Sequence, residues 1–469
     1  MLSGLRVSAP AQVEACDDGG HAGAYHHPSH DGLVDAVSTA PLQHVPVDAI
    51  FVPTARPAPY LRESLRVAAE LDCALVTLCS KEADAHAAVI GAKEAGVRAF
   101  AVDIDRFDLT PRMQTSKLIS DTRFRRRTDT SYKRNLCLLI AKMVGWERVV
   151  FLDDDIVVRQ ATDLNLAAAL LETYDAVGLV NDGFPDNSVV CHAYRAVGHE
   201  QGTFIGGGAM AVAVDRADSF FPDIYNEDWF FLLDDTRIRP VAKVGRIIQK
   251  PFDPYADPNR AKSEELGDCL AEGVYALLDE GKRVRDANAR FWEVFLADRK
   301  RMINRIIASV PSLNLSPHER ARMMTALKSA QSLRMRITPD LCASYLQAWR
   351  ADRGRWRRFV DHVHQCDSVE AAFVRLNVDS CNIFATEDRF RPVSAMGDPS
   401  VRQDIEPVAV GEPKVLTTAR SRMVRVSKRT TTAAAMVLPN PFTVQSVQVK
   451  VITAVAAILL VVWSVVLIV

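Results

Sequence analysis

Between residues 47 and 152 short apolar runs alternate with helical segments, and this alternation limits the fold more than any other feature of the chain. Ala49-Ile50-Phe51-Val52 reads as a strand stopped by Pro53-Thr54-Ala55-Arg56-Pro57, and a helix over 60–71 carries Leu61, Leu65 and Ala68 on one face. Residues 73–78, 97–104 and 149–152 read as further strands, with helices over 83–95 and 132–144. Runs this short and apolar fit strands covered on both faces. The expected fold is α/β, a Rossmann-like, mostly parallel sheet with helices on both faces. Such sheets bind ligands beyond the carboxyl ends of their strands. There the sequence gathers Thr54, Arg56, Ser80, Asp103, Asp105 and Asp153 to Asp155.

The flanks differ in texture. Residues 1–46 are rich in Gly, Ala, His, Pro and Asp without a period, and read as a disordered tail, histidines included. From 259 to 390 apolar residues recur at helical spacing among Arg and Glu, so a helical domain is expected after a catalytic domain over 47–258. Residues 391–450 read as a linker, basic near its end. Val451 to Val469 is an uncharged run that reaches about 28 Å at about 1.5 Å per residue, enough for a single transmembrane helix. Arg420, Arg422, Arg425, Lys428, Arg429 and Lys450 precede it. Cationic flanks stay on the cytoplasmic side, so the expectation is a membrane protein with a carboxyl-terminal anchor and its catalytic domain in the cytoplasm.

A formal net charge of -1 argues against general nucleic-acid binding, and an anionic ligand must be held by a local site. The 9 cysteines are scattered without a CxxC pair, which suits buried thiols better than a disulfide framework.

Asp153-Asp154-Asp155 follows the apolar run Val149-Val150-Phe151-Leu152 directly. Crowded carboxylates repel, and a hard divalent cation with oxygen ligands is the simple resolution. Spacing of i, i+2 lets Asp153 and Asp155 reach one site while Asp154 points elsewhere. Downstream, Gly206-Gly207-Gly208 enters a small-residue strand, where glycines let backbone approach a ligand. Tyr225-Asn226-Glu227-Asp228 then places an acidic pair ahead of Trp229.

The order of Pro53-Thr54, Arg134-Asn135, the three aspartates, the glycines and Glu227-Asp228 resembles the GT-A glycosyltransferases, in particular the family 2-like branch. The resemblance covers 47–258. It implies that Asp155, with Asp153, holds Mg²⁺ or Mn²⁺ bridging the diphosphate of a nucleotide-sugar donor. It implies further that Pro53, Thr54, Arg56, Asp103, Lys133, Arg134, Asn135, Asp153 and Gly206 to Gly208 form the donor site. Asp228 is then the base that takes the acceptor hydroxyl's proton, with inversion, and Glu227 supports it. The acidic residue that the family carries after its second strand is missing, since Leu78-Cys79-Ser80 stands there. The acceptor is a hydroxyl compound, and a membrane anchor points towards a lipid-linked one. Two other readings compete: a nucleotidyltransferase on a similar sheet, and a non-catalytic, tail-anchored scaffold.

Overall fold

A computed structural model describes residues 26–27, 29–37, 45–104, 111–202 and 204–386. These all fall within one compact unit. The expected linker and membrane span lie outside the described residues, as do Asp105 and most of the amino-terminal tail. Among the described residues no helix is long and apolar enough to cross a membrane.

The strands are β1 (Asp35–Ala36), β2 (Ala49–Thr54), β3 (Ala74–Cys79), β4 (Ala99–Asp103), β5 (Arg148–Leu152), β6 (Ile156–Val158), β7 (Ala176–Asn181), β8 (Ala209–Ala213), β9 (Val241–Gln249) and β10 (Ile383–Ala385). They form one 10-stranded sheet in the order β1-β9-β7-β8-β5-β2-β3-β4-β10, with β6 paired to β9 off that path. The expected strands at 49–52, 73–78, 97–104 and 149–152 are present as β2 to β5, all parallel to their neighbours in that group. Most strands run in one direction, as expected, and β6, β8 and β10 run against them. Strand β8 runs antiparallel to both β5 and β7, and β10 antiparallel to β4. The reversal has a local cause: Leu152 pairs with Ala209, so β8 begins where β5 ends. The glycine turn thereby lies against the aspartates.

Side chains alternate across the sheet, as the pleat requires. Ala49, Phe51, Val149 and Phe151 face one core with the helix Thr130–Val144 and the later helices Ala289–Ser309 and Pro339–Asp361. Ile50, Val52, Val150 and Leu152 face the other, with the helices Arg62–Leu71, Ala85–Glu94 and Thr162–Leu170. Both faces are covered by helices, as expected. The long helical stretch expected over 338–375 is two helices, Pro339–Asp361 and Val369–Arg375.

Residues 29–37 depart from the tail expected there. Strand β1 extends the sheet edge parallel to β9, and His30 is buried between Asp279 and Glu272, with its ring against Trp229 and Tyr275. A histidine flanked by polar residues gives no periodic signal, so only the acids waiting 240 residues on reveal the partnership.

Candidate active site

The strand order supplies the location. Strands β2 and β5 are neighbours in the sheet, yet the chain leaves β2 towards β3 and β4 on one side and continues from β5 on the other. That reversal opens a crevice at their carboxyl ends, the usual ligand position in open α/β sheets. A cavity of about 1930 Å³ opens there, lined among others by Pro53, Arg56, Arg134, Asp153, Asp154, Asp155, Gly206, Gly208, Glu227 and Asp228.

The three aspartates have separate surroundings. Asp154 is buried, accepts a hydrogen bond from Thr54 Oγ1 at 2.6 Å and meets Arg56 Nη2 at 3.1 Å. Asp155 pairs with the same Arg56 nitrogen at 2.7 Å. Asp153 receives both carboxylate contacts from Arg134 Nη2, each at 3.1 Å. Asp154 therefore ties β5 to β2, while Asp153 and Asp155 stand on the cavity side.

Arg134 is the centre of the arrangement. It is buried, its Nη1 donates to Glu227 Oε1 at 3.0 Å, and Phe221 lies beneath its guanidinium. Arg126 reaches the other Glu227 oxygen at 2.8 Å. Gly207 passes so close over Arg134 that a Cβ there would stand 2.3 Å from Nη1. Thus the glycine is required by a close approach, and Asp228 uses its exposed amide: Gly207 N donates to Asp228 Oδ2 at 2.6 Å, while Trp229 N donates to Asp228 Oδ1 at 3.0 Å.

Electrostatics separate the floor from the rim. Burial pushes the Asp153 carboxyl up to about 7, with Asp155, Asp186 and Asp154 adding to the rise and Arg134 opposing it. Burial and Glu227 raise Asp228, against Arg134 and the two amides. The floor carboxylates Asp153, Asp154, Asp155, Glu227 and Asp228 outnumber the three arginines that contact them, Arg56, Arg126 and Arg134. The rim carries Lys81, Arg123, Arg125 and Arg127, all of which also line the cavity.

Several expected site residues are placed elsewhere. Lys133 is buried and spends its donors on Thr54 O at 2.6 Å and Ser80 Oγ at 2.7 Å, joining the ends of β2 and β3. Asn135 exchanges two 2.8 Å hydrogen bonds with the Phe221 backbone. Asp103 accepts from Ala85 N at 2.9 Å at the start of the helix Ala85–Glu94. None of these, nor Thr54 or Gly207, lines the cavity. They hold the groups that do.

Two features escaped sequence reasoning. The basic run Arg123-Phe124-Arg125-Arg126-Arg127 was a visible signal, since four arginines in five residues precede the helix that carries Arg134. Asp186 gave no signal, because it sits in a Gly183-Phe184-Pro185-Asp186 stretch of ordinary turn residues. His192 stacks on Phe184 with ring centroids 5.0 Å apart, and burial lowers its pKa to about 4, a neutral packing histidine.

Among the described residues, the one grouping of three ligand-type side chains close enough to share an ion is Cys191, Asp268 and Glu272. Its charge is already met. Arg299 reaches Asp268 and His30 reaches Glu272, and burial keeps the Cys191 thiol protonated, with its pKa well above the usual range. It does not fit a metal. Asp153 and Asp155 fit one better: both line the open cavity, each with one arginine beside it, and carboxylate oxygens are donors for a hard cation.

No family model matches this sequence, and no curated protein sequence matches it. Among solved structures, the mannosyltransferase PcManGT from Pyrobaculum calidifontis in complex with GDP-Man and Mn2+ is similar over 66% of this chain and 88% of its own, at 15% identity and a TM-score of 0.36. A mycobacterial protein is similar over 50% of this chain and 74% of its own, at 15% identity and a TM-score of 0.30. Likenesses this slight carry no functional weight, and the site rests on its own residues.

Proposed function

We propose that this protein transfers a sugar from a nucleoside-diphosphate donor to a hydroxyl acceptor, with Mg²⁺ or Mn²⁺ held by Asp153 and Asp155. The observation that carries the reading is the charge layout of one cavity: unbalanced carboxylates on its floor at the carboxyl end of β5, arginines and Lys81 on its rim. A diphosphate is the ligand that satisfies both, with oxygens for a bound cation and for guanidinium donors. When bound, the cation supplies Lewis-acid charge for a departing diphosphate. Arg56 and Arg134 fix the two metal-facing carboxylates, and the Gly206–Gly208 turn admits the sugar close to the backbone. Asp228 and Asp186 both face the point above Gly206, so a carboxylate is at hand for the acceptor's proton and direct, inverting attack.

Calorimetric titration with nucleoside diphosphates, with and without Mn²⁺, tests this reading. Binding that needs the metal, and that Asp155→Ala abolishes, is expected; metal-independent or absent binding sinks it and favours the scaffold. A nucleotidyltransferase would instead release diphosphate from a nucleoside triphosphate, and the residues after β2, Ala55-Arg56-Pro57, lack the glycines such a loop uses. The carboxyl-terminal run remains part of the proposal as a cytoplasmic-side anchor. Loss of membrane association on deleting residues 451–469 is the expected result.

A further inference from the structure

Two carboxylates compete for the acceptor's proton, and their hydrogen bonding differs. Asp228 is held at both oxygens: each accepts a backbone N–H, from Gly207 at 2.6 Å and from Trp229 at 3.0 Å. Bonds of that kind favour the charged form and so oppose the rise that burial and Glu227 impose on Asp228. They also pin the glycine turn to the short helix Glu227–Phe231, which is a structural task.

Asp186 is placed differently. It lies in the segment between β7 and the helix Val189–Ala196 and lines the same cavity. Above Gly206, at the position a Cβ would take, Asp228 Oδ2 stands 3.3 Å away and Asp186 Oδ2 3.7 Å away. Both carboxylates thus flank one point beside the glycine turn. Among the described residues no hydrogen bond is made to Asp186, which leaves both oxygens for an incoming group. The residue is exposed, and it lines the cavity. Desolvation by the surrounding protein, with Asp228 and Asp155 adding to it against Arg260 and Arg134, pushes its carboxyl up to about 6, an effect that the exposure of the residue to cavity water tempers. A proton acceptor works best with a pKa near the operating pH.

We propose that Asp186, and not Asp228, takes the acceptor's proton, so that Asp228 is a positioning residue for the glycine turn. The step rests on the sugar-transfer reading above. The acceptor oxygen bonds to the anomeric carbon while the bond from that carbon to the diphosphate oxygen breaks, its electron pair leaving on the diphosphate. The hydroxyl proton passes to an Asp186 oxygen. Protonation of Asp186 is undone by solvent through the open cavity.

The test compares Asp186→Asn with Asp228→Asn on whichever nucleoside-diphosphate sugar the wild-type protein turns over, using a hydroxyl acceptor and azide. Azide attacks without losing a proton, so it needs no base. For Asp186→Asn, kcat with the hydroxyl acceptor is expected to fall about 10²- to 10⁴-fold, the usual size of a lost general base. Glycosyl azide formation and Mn²⁺-dependent nucleoside-diphosphate binding should stay within about threefold of wild type. Unchanged nucleotide binding also shows that the variant is folded. Asp228→Asn should depress both reactions together. Four results overturn the assignment: Asp186→Asn retaining hydroxyl transfer, Asp186→Asn losing both reactions alike, the hydroxyl-azide split appearing in Asp228→Asn, or azide failing to react with the wild type. A wild-type protein that turns over no nucleotide sugar sinks the underlying reading, and this assignment with it.

Discussion

The molecule contains two crowded sets of carboxylates, and they have been treated in opposite ways. In the helix Pro258–Asp279, Glu264, Glu265, Asp268 and Glu272 are all buried. Each is met by a cation or a donor from the chain itself. Arg260 holds Glu264 at 2.6 Å, Arg299 holds Glu265 at 3.1 Å and also Asp268, and His30 holds Glu272 at 3.4 Å. Ser188 and the Val189 amide fill further acceptor positions. Asp153, Asp155 and Asp186 share a cavity instead, and of these Asp153 and Asp186 are raised by burial and by neighbouring carboxylates beyond what the nearby arginines offset. The first set is closed and stabilises one packing of helices. The second is left open, which costs stability unless a ligand arrives. Acid density alone therefore does not mark a site; what marks it is missing countercharge beside open space.

The sharpest break of this contrast is Arg299→Met. Burial of an ion pair is close to neutral, but removing one partner leaves an uncompensated charge. Arg299 is almost wholly enclosed, and its loss strands Glu265 and Asp268 together. A loss of about 3–5 kcal/mol in urea unfolding is expected, part of it recovered by adding Glu265→Gln. A loss under about 1 kcal/mol would mean that water enters the cluster and the two sets are not different in kind.

The second prediction concerns the open set. If Asp153 and Asp155 hold a divalent cation, saturating Mn²⁺ or Mg²⁺ should raise the melting temperature of the wild type. At a concentration a hundredfold above Kd the gain is about 2.7 kcal/mol. Asp153→Asn combined with Asp155→Asn should abolish the shift, while Arg299→Met should keep it. Equal stabilisation of the double variant places the cation elsewhere.

This contrast also explains what the sequence could disclose. Strands β2 to β5 were legible because each is a buried run whose burial shows as unbroken apolar character, and the aspartates were legible because they follow one. The direction of β8 was not, since Met210 to Ala213 is equally apolar in either orientation. At the site, Asp153, Asp155, Arg134, Gly206 and Gly208 are grouped by their order along the chain, and all of them line one cavity. Lys133 and Asn135 were grouped with them, yet both turn inward to backbone. A single residue, about 100° of helix rotation, separates a cavity-lining side chain from a supporting one, and chain order does not record which way a side chain points. Asp186 and His30 were missed because their meaning lies in partners far along the chain.

His30 offers a third, smaller test on the closed side. Burial alone would lower its pKa, but the hydrogen bond with Asp279, the close approach of Glu272 and their charges raise it to about 9. Since the folded value lies above the unfolded value of about 6.5, the stabilisation is fully present below pH 6.5 and fades as pH rises through 9. Hydrogen bonds to charged groups suggest about 2 kcal/mol. His30→Gln should lose that stability at pH 6 and differ little from wild type near pH 10. A constant difference across the range would make the ring a packing element only.

The smallest expected effect has the opposite sign and bears on the open set alone. Asp153 has its carboxyl raised to about 7, chiefly by burial, against an unfolded value of about 3.9. The folded protein therefore binds a proton that the unfolded chain gives up, and metal-free stability should fall as pH rises from 4 through 7. Asn carries no charge, so Asp153→Asn should stabilise the metal-free protein at pH 8 and make no difference at pH 4. The gain should be about 1 kcal/mol, smaller than the shift alone implies, because the side chain is 30% exposed to cavity water and that water screens it. Arg134 also loses a partner in this variant, which trims the gain further. A carboxylate whose removal stabilises the protein is being kept for something other than the fold. If Asp153→Asn instead destabilises at pH 8, its pairing with Arg134 outweighs the crowding, and the aspartates at the end of β5 belong with the closed cluster after all.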